Sequence, residues 1–268
     1  NKLKEAEEAF KTGANLAPVR SPKRLGYANF KVSTGDLAEG KRLIAQITKE
    51  APDYVPAWIR QAEIALAEKK FDDCENLLNQ ALARDNDNYE AMSLQGRCFM
   101  IQGQTDKAVV VLDRLAALYD QAPDAQYQLA TAHLAVHDTV KAESELNKAL
   151  ALRPRYPDAM LLLAGLNLSK GDSSSAIAAL TQLIKLQPKM GEAYMMLANA
   201  YVAQKKFDEA LDTYDKVAVL YPKNAQVPFM AGLALEQKKS WADARKKFEE
   251  TLVLSPKYVL ALEQLVNL

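Results

Sequence analysis

Along the chain, runs of small and large apolar residues at helical spacing are broken by short polar stretches, and the alternation keeps one length. Prolines at 154, 188, 222 and 256 mark it, each 34 residues from the last, and Pro18 and Pro52 stand in the same phase. The two skipped marks are Asn86 and Asp120, residue types that also end helices and make turns. A fixed period of this size signals a repeat architecture. Full repeats begin at 21, 55, 89, 123, 157, 191 and 225, so each residue can be given a position from 1 to 34.

Position 8 then reads Ala28, Ala62, Gly96, Ala130, Ala164, Ala198 and Gly232, and position 20 reads Gly40, Cys74, Ala108, Ala142, Ala176, Ala210 and Ala244. All are small. Position 24 is always large: Ile44, Leu78, Leu112, Leu146, Leu180, Tyr214 and Phe248. This pattern predicts two antiparallel helices per repeat, A and B. They cross where larger side chains would hold the backbones apart, and position 24 fills the space beside the crossing. Gly35, Gly103 and Gly171 at position 15 suit a chain reversal that other residues resist. Asp36, Asp138, Asp172 and Ser240 stand where helix B needs an N-cap, and Asp36 with Glu39 has capping-box spacing. Pro22, Pro56, Pro123 and Pro157 fall at the first or second position of helix A, where the missing N–H costs nothing.

Composition narrows the function. With 49% hydrophobic and 25% charged residues the chain is a folding one, and no apolar run is long enough for a membrane span, so this segment is expected not to insert into a membrane. Thirty-four basic residues balance 34 acidic ones, which leaves no bulk field to gather nucleic acid. The lysine pairs at 69–70, 205–206, 238–239 and 246–247 read as solvated turns and helix surfaces. Cys74 and Cys98 are too few for a disulfide framework and lack zinc-site spacing. His133 and His137, four apart, lack the intervening Glu of a metalloprotease helix; they read as a core residue and a turn residue. No nucleophilic triad, phosphate loop or dinucleotide fingerprint occurs, so neither an enzyme nor a cofactor is expected. Trp58 and Trp241 read as packing residues.

The motif order resembles the tetratricopeptide repeat, W-x2-L-G-x2-Y, then A-x3-F, then P. The sixth repeat carries it as Tyr194, Leu197, Ala198, Tyr201, then Phe207, Ala210, Tyr214, Val217, Pro222. Pro228 departs from it at position 4, and His133 and Asn167 depart at position 11. The resemblance implies an all-α, right-handed superhelical solenoid of antiparallel helix pairs, one domain over 1–268. Seven full repeats span 21–258, a half repeat 1–20 and the start of another 259–268. The half repeats read as the ends of a segment of a longer array, with self-association through uncapped ends among its expected properties.

The resemblance also implies a non-enzymatic scaffold that binds a protein or peptide in a concave groove lined by helix A positions 2, 5, 6, 9, 12 and 13. A carboxylate clamp is not supported: Asn29 and Asn199 hold position 9, but Leu25 and Met195 stand where lysine is needed. Early groove positions are charged (Arg60, Glu63, Glu90, Arg97). Later ones are apolar: Leu161, Leu162, Leu168, Met195, Met196, Val202, Phe229, Met230 and Leu233, with Asn199 among them. The expectation is an apolar cradle for a partner's peptide or helix. Short Ala-rich helices and P-x-x-A connections are similar to bacterial repeat proteins of exopolysaccharide and cell-envelope assembly, including the lipoprotein of the PEP-CTERM sorting system. That likeness favours a periplasmic or envelope location; the alternative is a regulatory module of a larger enzyme or transcription regulator.

Overall fold

The computed structural model describes residues 2–268, and it is helical throughout apart from turns and bends. Sixteen helices follow one another among the described residues. The first eight are α1 (Lys2–Asn15), α2 (Pro22–Ser33), α3 (Leu37–Glu50), α4 (Val55–Ala67), α5 (Phe71–Leu82), α6 (Tyr89–Ile101), α7 (Thr105–Leu118) and α8 (Pro123–Ala135). The rest are α9 (Thr139–Leu152), α10 (Pro157–Ser169), α11 (Ser173–Leu186), α12 (Gly191–Ala203), α13 (Phe207–Leu220), α14 (Gln226–Gln237), α15 (Trp241–Leu254) and α16 (Val259–Asn267). They group into two compact units, Asn1–Ala142 and Glu143–Leu268. Within each unit a helix packs chiefly on the ones before and after it, as in a repeat solenoid.

Even-numbered helices from α2 to α16 are the A helices of the sequence pattern, and odd-numbered ones from α3 to α15 the B helices. Every residue at positions 8, 20 and 24 is buried, so the reading of those positions holds in all seven repeats. The closeness of the crossing is measured by Gly232, where an added Cβ would lie 2.5 Å from Cε1 of Phe248. Gly96 is in the same position against Leu112, also at 2.5 Å. The two glycines at position 8 therefore make room for the large side chain opposite.

The A-to-B turn is the same in every repeat. Position 15 has positive φ throughout: Gly35, Gly103 and Gly171, but also Lys69, His137, Lys205 and Lys239 at φ 59–65°. The next residue's N–H bonds back to the carbonyl five residues earlier, for example Asp36 to Lys31 at 2.9 Å, Lys206 to Tyr201 at 2.9 Å and Ser240 to Leu235 at 2.9 Å. This is the Schellman closure of a helix C-terminus. A non-glycine residue pays about 1–2 kcal/mol for that conformation, and the closure offsets it. The lysines and His137 thus sit at turns, as read from the sequence.

The residue that closes helix A also opens helix B. Asp36, Asp138 and Asp172 accept from the backbone N–H three residues on, at 3.3, 3.1 and 3.1 Å. Two expectations need correcting. Ser240 occupies the N-cap of α15 but its side chain makes no capping bond. Glu39 does not complete a capping box, because both its oxygens, at 2.7 Å each, are taken by Arg42 one turn on. Trp241 is a third correction: as the first residue of α15 it is 53% exposed, whereas Trp58 packs on the core, donates its indole N–H to the Pro52 carbonyl and lies under the Arg84 guanidinium.

Repeats are joined by a second recurring device. Tyr119 and Tyr221 each donate their hydroxyl to a carbonyl 32 residues earlier, Asp87 and Lys189, which staples successive B-to-A loops together. Replacing Ala164 or Ala198 with Leu, or Gly232 with Ala, is expected to lower stability by about 1–3 kcal/mol through overpacking at the crossing. Thermal melts decide it, and melts unchanged in all three would break the packing assignment.

Candidate functional site

The A helices meet one another directly within each unit, α4 with α6, α6 with α8 and α10 with α12. Their facing side chains form a stripe whose chemistry differs between the units. In the first unit it is polar and cross-linked: Arg60 Nε donates to Asn29 Oδ1 at 2.7 Å, Arg60 also pairs with Glu63 at 2.7 Å, and Ser93 donates to Gln128 at 2.9 Å. In the second unit the same positions meet through apolar atoms. A Cβ on Gly165 of α10 would lie 3.3 Å from Met196 Cε of α12.

Eight of the ten residues singled out from the sequence are half-buried: Leu161, Leu162, Leu168, Met195, Met196, Val202, Met230 and Leu233. All but Leu162 pack one side against a core cluster. Leu161, Leu168 and Met196 lie on the α10–α12 core, Met195, Val202 and Met230 on the α12–α14 core, and Met230 and Leu233 also on the α14–α16 core. Each therefore presents only part of its surface.

Phe229 does not belong with them. It is 6% exposed and packs between Phe248 and Tyr258, with ring centroids at 5.8 and 5.0 Å. The reason lies one residue earlier, where Pro228 occupies the position at which the repeat places an aromatic side chain. Phe229 supplies the missing ring to the core, which removes it from the groove. Asn199 is exposed, but its carbonyl oxygen accepts the Tyr214 hydroxyl at 2.7 Å. Tyr214 is the one tyrosine at position 24, and burial pushes its hydroxyl pKa up to about 12. A buried phenol needs a partner, and that need was a usable sequence signal for Asn199. Only the Asn199 amide N–H groups are left for another molecule.

Two further features carry no sequence signal. A cavity of about 400 Å³ opens between α3, α4 and α5, with Ala45, Ile64 and Leu77 in its wall. Its rim is charged but self-satisfied: Glu68 takes Lys41 at 2.8 Å and Lys70 at 2.9 Å, and these bonds, Lys41 first, hold its carboxyl below the usual range. The thiols of Cys74 and Cys98 are buried in one core cluster, and burial followed by the neighbouring thiol pushes Cys74 up to about 12. That makes it a packing residue without nucleophilic character. His133 is buried at 4% exposure, its Nδ1 without a partner among the described residues. No helix of the described residues is long and apolar enough to cross a membrane.

Models of the tetratricopeptide repeat match residues 65–134, and again 127–190, 168–225 and 195–259. The chain belongs to the tetratricopeptide repeat family, whose members generally serve as non-enzymatic scaffolds that bind protein or peptide partners. Solved structures share the fold. The C-terminal part of a repeat protein from Cytophaga hutchinsonii superposes with a TM-score of 0.72 at 16% identity, over 89% of this chain and 98% of that one. YrrB, a TPR protein with an unusual peptide-binding site, gives 0.60 at 18% identity, over 70% and 96%. MamA gives 0.58 at 24% identity, over 64% and 94%. No curated protein matches this chain.

Removal of the Phe229 ring should cost about 3–5 kcal/mol, as for other large core truncations. Leu162→Ala, at a residue outside the core clusters, should cost far less. Denaturant titration of the two variants gives the comparison, and equal losses would return Phe229 to the surface.

Proposed function

We propose that the A-helix stripe of the second unit is a docking surface for an apolar segment of a partner protein, and that the chain is a scaffold without catalytic activity. The observation that carries this is the contrast between the units. Where the first unit joins its A helices by hydrogen bonds and an ion pair, the second leaves Leu161, Leu162, Met195, Met196, Met230 and their neighbours half-exposed with no element of its own unit over them. Contiguous apolar surface of this kind marks interaction sites. Methionine suits it, being flexible and polarizable enough to adapt to a partner's shape. Asn199, its oxygen fixed by Tyr214, holds its amide N–H groups ready for a partner's backbone carbonyl.

The experiment is a double variant, Leu162→Glu with Met195→Glu. The parent chain should capture a discrete protein from native lysate and the variant should lose it, with helical circular dichroism unchanged. Retention of the same protein by a folded variant would refute the surface.

We further place this scaffold in bacterial cell-envelope or exopolysaccharide assembly, on the periplasmic or envelope side. Support comes from the Ala-rich short helices and P-x-x-A connections that resemble repeat proteins of that machinery. Fractionation of the source cells should find the full-length protein in the envelope. A cytosolic protein, or one whose flanking chain carries a DNA-binding or catalytic domain, would make the segment a regulatory module instead.

A further inference from the structure

The charges at the two ends of the same A helices say more about what the stripe receives. At the N-terminal ends of α10 and α12 stand Asp158 and Glu192, one period apart, both exposed and without an ion pair or side-chain hydrogen bond among the described residues. At the opposite end of α12, past its last residue, stand Lys205 and Lys206, exposed and equally unpaired. Lys170 after α10 is already held by Glu143 at 2.6 Å. Along α14 the pattern fades: Gln226 replaces the acid, and Glu236 sits beside Lys239. The unopposed charges therefore bracket the apolar span of α10 and α12.

Helix dipoles account for part of this placement, since acids favour N-termini and bases C-termini. A helix end carries only about half an elementary charge, so each carboxylate leaves a net negative edge and each ammonium a net positive one. The unit thus offers an apolar floor with an acidic border on one side and a basic border on the other.

We propose that the occupant is an amphipathic helix of a partner protein that lies across the A helices. Its apolar ridge rests on the stripe, a Lys/Arg flank faces Asp158 and Glu192, and an Asp/Glu flank faces Lys205 and Lys206. This rests on the docking surface proposed above and adds the partner's class and direction, because only one orientation of such a helix matches both borders. Three A helices with neighbouring axes about 8–10 Å apart make a floor about 20 Å long, which a helix of about 13 residues covers.

The test uses the full chain and synthetic helical peptides of about that length, each with the same Leu/Met ridge. One peptide has a Lys flank and a Glu flank, one has Gln on both flanks, and one has Lys on both. By fluorescence anisotropy at low salt the mixed peptide should bind about tenfold tighter than the Gln peptide, as two to four rim charge pairs allow, and the advantage should vanish at high salt. Asp158→Lys with Glu192→Lys should abolish the advantage while leaving the Gln peptide's affinity unchanged, which also shows that the variant is folded. Equal affinity of the mixed and Gln peptides would overturn the charged-flank proposal and leave the apolar surface standing. Tightest binding of the all-Lys peptide would overturn the basic border. Failure of all three peptides to bind would remove the docking surface itself, and the proposal with it.

Discussion

The structure depends on how closely two helices can approach. At each A–B crossing a small residue at position 8 and another at position 20 let the backbones near each other, and one large side chain at position 24 fills what they leave. Dispersion and burial both reward that fit, and because it is repeated every period the same helix pair forms at each step. The chain needs no long-range core: each repeat's large residue packs within its own pair and against the next helix. Sequence variation is then constrained as a matched set. A bulky Phe248 goes with Gly232 across the crossing, whereas Leu180 goes with Ala164.

The period, the helix pairs, the small and large positions and the turn residues were all legible because each rests on local steric rules that act alike in every repeat. The lysines with positive φ are the clearest case. Nothing about lysine asks for that conformation, yet repeat phase placed Lys69, Lys205 and Lys239 at the position that Gly35 and Gly171 hold elsewhere. What was not legible came from substitutions inside one repeat. Pro228 displaces the aromatic by one residue, so Phe229 turns inward although its phase assigns it to the groove. Trp241 stays at the surface because the core of that pair is already filled by Phe229 and Phe248. Side-chain choices such as Glu39 pairing with Arg42 rather than the backbone depend on which partner is nearer, and phase carries no information about that.

The difference between the two units has the same origin. Positions on the A-helix stripe are free of the packing rule that governs positions 8, 20 and 24, so they drift in chemistry while the backbone beneath them does not. One unit uses that freedom to tie adjacent helices with Arg60, Asn29, Ser93 and Gln128. The other uses it to leave thioethers and leucines on a surface supported from below by its own cores. A rigid floor under adaptable side chains keeps the ordering cost of association low, since only the side chains have to settle.

The A-to-B turn joins two helices through one residue that ends the first and caps the second. Such a joint has no slack. One residue added there would rotate helix B by about 100° about its axis, since a turn takes 3.6 residues, and would swing position 24 out of the crossing. The joint therefore acts as a length gauge, and a chain built on it can grow or shrink only by whole helix pairs.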